Sequence, residues 1–250
     1  MNQYQIPVSL RCESDDACLN RDVLAVCRDA VDASMGVVGQ APALGPKPVV
    51  VQQASDGIPR ACLNGLPKEY LVNVICLHSR QYDKLAFQVG HEMGHFFVDP
   101  HYANWFVESA CTAVSLLLLT ALSQKWSTDP PFRNWRPYAA NFEKYRHKTV
   151  GGALRAAGLS GPDQIKGWID GPLGDIVAAR QFTRQHEMLC AEMIAKIVVS
   201  VLPTFSIITR LGSVSRAEGK TDLVRWRAAV QANEAPGVDA LATVFGHLME

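Results

Sequence analysis

The run His91-Glu92-Met93-Gly94-His95 constrains this chain more than any other feature. It lies in the stretch 81–98, whose periodicity predicts a helix. With Leu85 at zero and about 100° per residue, Tyr82, Leu85, Ala86, Val89, Met93, Phe96 and Phe97 share an arc of about 120°. His91 and His95 fall on the other side. Histidines four apart lie one turn from each other, so both rings can reach one ion. Glu92 points toward the same opening, where it can take a proton from a metal-held water. Gly90 and Gly94 sit beside them in the helix interior, each costing about 1 kcal/mol relative to Ala. The close approach of another segment, or of substrate, accounts for them.

Two histidines leave a catalytic zinc site short of a third protein ligand, with water in the open position. Three residues compete for the place. Glu108 lies in a second predicted helix, from the N-cap Asn104 to about Lys125, where Glu108, Thr112 and Ser115 form a narrow polar stripe. An ionised carboxylate among Trp105, Val107, Val114 and Leu116 needs a positive partner, and its own helix has no Lys or Arg before Lys125. His101 is the rival, at the ligand spacing of the metzincin peptidases. That pattern has Gly where this chain has Val98, and a β-branched residue resists the positive φ of such a turn. Asp99, four residues after His95, is the third. The residues favour Glu108.

His91-Glu92-x-x-His95 followed by Glu108 resembles the gluzincin arrangement of thermolysin-type metallopeptidases. The stretch from Asn104-Trp105-Phe106-Val107-Glu108 through Trp126, Pro130-Pro131 and Asn134-Trp135 is similar to bacterial proteins of that zincin type. The resemblance covers about residues 69–138. It implies a zincin-like α+β fold, a small twisted sheet whose edge strand lies beside the active-site helix, and peptide-bond hydrolysis with a peptide or protein as substrate. It also implies one zinc per chain on His91, His95 and Glu108, with Glu92 as general base. Tyr102 lies roughly where thermolysin-like enzymes place an oxyanion donor, with His186 and His147 as alternatives. Two departures stand out. The 12-residue gap between His95 and Glu108 demands a tight connection. Thr112 stands where those enzymes carry an Asp that supports a ligand histidine, and a hydroxyl only partly replaces it.

The rest of the chain fits a catalytic part over 1–126 and a mainly helical part over 127–250, the boundary falling in the Pro-rich stretch 127–137. Strands are predicted at 5–11, 48–53, 60–63 and 69–77, the last two joined by the turn Asn64-Gly65-Leu66-Pro67. The apolar run 69–77 is a candidate to pair with extended substrate. Helices are predicted at 20–34, 138–147, 175–202, 221–232 and 238–249. With 24 Lys+Arg against 24 Asp+Glu, the chain lacks the basic excess a nucleic-acid binder needs. The longest apolar run, 110–122, is shorter than the roughly 20 residues of a bilayer span. Seven cysteines form no C-x-x-C pair, and no signal peptide is visible, so the expected setting is reduced and cytoplasmic. The reading against which the enzyme must be tested is a zinc-binding regulatory or interaction protein with weak or no protease activity.

Overall fold

The computed structural model describes residues 6–11, 15–42, 44–63, 68–215 and 220–249. The first half runs β1 (Val8–Arg11), α1 (Ala17–Val38), β2 (Val49–Gln53), β3 (Arg60–Cys62) and β4 (Tyr70–Val74). These strands form one sheet in the order β1-β2-β4-β3, with β3 antiparallel and the rest parallel. The valines of β2 and β4 are almost wholly buried, as strands covered on both faces should be. One expectation is corrected here. β4, within the run 69–77, lies between β2 and β3, so both of its edges are already hydrogen-bonded and neither can take substrate. The edge strand on that side of the sheet is β3, with β1 at the opposite edge. The turn at 64–67 lies outside the described residues.

Two helices then cross the protein, α2 (Tyr82–Val98) and α3 (Trp105–Thr128). The apolar stripe of α2 packs on α1 and β4, with the Phe96 and Tyr70 rings 4.5 Å apart. Its other side is buried too, against α3. Asn104 caps α3, its side chain accepting from the N–H groups of Phe106 and Val107, both at 2.9 Å. At the far end Asp29 of α1 pairs with Lys125 and accepts from Trp126 Nε1 at 2.6 Å, which ties α3 to the sheet side. By length and mean hydropathy, 1.7 over an 18-residue window, α3 is apolar enough to cross a bilayer. Its apolar window is therefore longer than the run 110–122, and 72% of it is buried inside the protein.

The second half is helical: α4 (Ala139–Ala156), α5 (Ile165–Asp170), α6 (Pro172–Ala178), α7 (Arg184–Val201), α8 (Leu223–Ala229) and α9 (Ala235–Met249). The helix expected over 175–202 is in fact two, α6 and α7. Arg180 adopts a left-handed backbone, φ 56°, which ends the first, and Thr183 opens the second through a capping box with His186. α7 packs along α3 and α4, and one hydrophobic core runs through both halves of the chain. Arg146 of α4 reaches the buried Glu192 of α7 at 2.7 Å.

Candidate metal centre

The centre is built on the seam between α2 and α3, which run antiparallel. A Cβ added to Gly94 would stand 2.8 Å from Cys111 Cα. One added to Gly90 would stand 3.4 Å from Ser115 Cα and 3.1 Å from Leu118 Cδ1. The two glycines thus let the helices approach to near backbone contact, and packing by α3 alone explains them. The same approach gives each member of the polar stripe on α3 a partner on α2. Ser115 Oγ donates to the Phe87 carbonyl at 2.9 Å, and Thr112 Oγ1 lies 3.0 Å from His91 Nδ1. Glu108 Oε2 lies 3.4 Å from His91 Nε2 and 3.5 Å from His95 Nε2.

The two Nε2 atoms are themselves 3.3 Å apart, so three donor atoms from two helices make a nearly equilateral triangle. His91, Glu92 and His95 form a group, with donor atoms within 4.8 Å of one another, that can hold a metal ion. Burial works against the Glu108 carboxylate, but hydrogen bonds and charge from His91 and His95 overcome it and hold its pKa well below the usual carboxylate range. Burial dominates at Glu92, which is 3% exposed, and pushes its pKa up despite the neighbouring histidines and the Ala61 N–H it accepts from. Two carboxylates facing one cleft are thus shifted in opposite directions, Glu108 down and Glu92 up.

A cleft of about 260 Å³ opens over the triangle. Its walls include Arg60 and Ala61 of β3, Pro100 and Ala103 after α2, and Arg184 and Glu187 of α7, with His91, Glu92, His95 and Glu108 facing it. No protein-family model matches the chain, and no curated protein or solved structure matches it. The cleft's chemistry therefore has to be read from its own residues.

The other candidates lie elsewhere. The chain turns after α2 at Asp99, φ 111°, and Val98 stays helical. Gly212 makes the turn possible, because a Cβ there would fall 2.1 Å from the Val98 carbonyl oxygen. Asp99 is occupied with His101, accepting from its N–H at 3.0 Å and meeting its Nδ1 at 2.7 Å, and the His101 side chain is 57% exposed. Neither joins the cleft lining, and nor does Tyr102, which is exposed. His186 serves in the cap of α7, accepting from the Thr183 N–H at 3.1 Å and stacking on Trp168. His147 is exposed beside Glu143.

Sequence reasoning missed three contributors. Glu187 is buried and accepts from the Thr112 hydroxyl, 75 residues away in the chain. Arg184, one turn earlier, lays its guanidinium 5.9 Å over the Phe87 ring. The outer edge of β3 is the third. Glu187 carried a signal: like Glu108, it is a carboxylate set in an apolar helix, beside Met188-Leu189-Cys190-Ala191. Arg184 and β3 carried none that spacing could reveal.

Proposed function

We propose that this chain is a zinc-dependent metallopeptidase of the gluzincin type, a zincin-like fold that hydrolyses peptide bonds with Glu92 as general base. One observation carries the reading. Zinc bonds of about 2.0–2.1 Å in tetrahedral array put neighbouring ligand atoms about 3.3–3.4 Å apart. The edges of the His91–His95–Glu108 triangle are 3.3, 3.4 and 3.5 Å. Two imidazoles and one carboxylate also form a donor set suited to zinc with a fourth position left for water. The antiparallel edge strand beside α2 supports the same reading.

Bound there, zinc supplies a Lewis acid that polarises the scissile carbonyl and acidifies a water. The chain's own residues do the rest. Glu92, facing the cleft beside both histidines, takes the water's proton on its carboxylate and returns it to the leaving amine. Glu108, within 3.5 Å of both histidine Nε2 atoms, would complete the ligand set from α3. The outer edge of β3 lines the cleft at Arg60 and Ala61, so an extended peptide can lie along it. Arg184, which replaces Tyr102 as the side-chain donor in the cleft, is placed to hold a substrate carbonyl or carboxylate.

The test is Glu92→Gln. It should keep its zinc and lose at least about 100-fold in hydrolysis, the usual contribution of a positioned base. Wild-type cleavage by that variant would remove Glu92 from the mechanism. Zinc-loaded wild type that cuts nothing in a diverse peptide library would put the zinc-binding interaction protein in its place.

A further inference from the structure

We propose that Glu187 of α7 is a positioning residue for His91, acting through the Thr112 hydroxyl to fix which ring nitrogen faces the metal. The inference rests on the zinc reading above and adds a function for the second half of the chain. Its warrant is a proton count. Thr112 Oγ1 stands between the two groups, 3.0 Å from His91 Nδ1 and donating to the Glu187 carboxylate. Glu187 Oε1 is itself 3.9 Å from His91 Nδ1, too far for a direct hydrogen bond.

An ionised carboxylate only accepts, and a hydroxyl has one proton to give. Once Thr112 gives that proton to Glu187, it can meet His91 only with a lone pair, so Nδ1 must carry hydrogen. In the neutral imidazole Nε2 is then the free lone pair, and Nε2 is the atom at the corner of the donor triangle. Without Glu187 the hydroxyl could turn and donate to Nδ1, which favours the opposite tautomer. All three groups are buried, Thr112 completely, so solvent is poorly placed to substitute. Each is held by a different helix: His91 by α2, Thr112 by α3, Glu187 by α7. The second half of the chain is therefore part of the metal centre.

The experiment measures zinc affinity by chelator competition for wild type, Thr112→Val, Thr112→Ser and Glu187→Gln, with thermal melts as a folding control. Thr112→Val, which keeps the shape and removes the hydroxyl, should weaken zinc about 10–100-fold, the range for supporting partners of ligand histidines. Thr112→Ser should restore binding. Glu187→Gln, which keeps an accepting oxygen but can also donate to the hydroxyl, should fall between them and carries the test alone if Thr112→Val does not fold. Nitrogen-15 spectra of zinc-loaded wild type should show His91 bound through Nε2, with a slowly exchanging Nδ1–H that exchanges faster in Thr112→Val. A His91 bound through Nδ1 overturns the proposal. So does zinc affinity in folded Thr112→Val or Glu187→Gln within about twofold of wild type, well short of that range. Wild type that binds no zinc overturns the metal reading itself, a result distinguishable from the other two.

Discussion

The α2–α3 seam meets His91 directly, Glu108 at Nε2 and Thr112 at Nδ1, whereas the first turn of α7 acts on it only through the Thr112 hydroxyl, and the two hold it by different means. At the seam, glycine backbone meets the backbone of Cys111 and Ser115, so the helix spacing leaves no slack. Glu108 is carried to both histidines by that spacing, not by its own flexibility. From α7, one long side chain crosses to one hydroxyl, and the helix start that aims it is fixed by Thr183 and His186. Packing sets the donor atoms, and hydrogen bonds set their protonation. Damage to the first should cost fold and metal together; damage to the second should cost metal affinity with the fold intact.

That contrast can be broken most easily at Gly94. A Cβ there meets Cys111 Cα and Cβ at 2.8 and 2.9 Å, and neither atom is the end of a flexible chain. Gly94→Ala should therefore lose about 1–3 kcal/mol to overpacking, less the roughly 1 kcal/mol that Ala returns in helix propensity. It should also weaken zinc as Glu108 is pushed off the histidines. Gly90→Ala meets mainly the Leu118 methyl and should stay within about 1 kcal/mol of wild type, because propensity offsets the contact. Thermal melts with and without zinc compare the two; equal melts would mean the seam is not the tight element. A smaller effect is expected from Thr183→Ala, which removes the cap of α7. It should cost about 1 kcal/mol of stability and loosen zinc only slightly, since Glu187 is also held by the burial of α7. If Thr183→Ala lowers zinc affinity as much as Gly94→Ala does, the distinction between the two regions fails.

What the sequence made legible follows the same division. His91, Glu92 and His95 are adjacent turns of one helix, and Glu108 follows on the next. Local periodicity and the cost of an unpaired carboxylate were enough to single them out. The polar stripe Glu108–Thr112–Ser115 was visible as a pattern, and the structure gives each member its partner on α2. Glycines 90 and 94 were legible as a demand for close approach. Glu187 stood out only as a carboxylate among apolar neighbours; its partner did not, because nothing local says which of several distant helices will lie against Thr112. The break at Arg180 was equally hidden: a left-handed arginine has no sequence mark, and the apolar period runs on toward α7 past it. β4 misled for a plainer reason. Its continuous apolar run marks a strand covered on both faces and is silent about its edges, both of which are paired here.

Zinc titration of untagged wild type, Glu108→Ala and His101→Ala, each followed by chelator, tests the three-atom triangle most directly. The account predicts one zinc per chain in wild type and in His101→Ala, because His101 is turned away to Asp99. Glu108→Ala, left with two protein ligands, should lose affinity by orders of magnitude. No zinc in wild type, or tight zinc in Glu108→Ala with loss in His101→Ala, would contradict it.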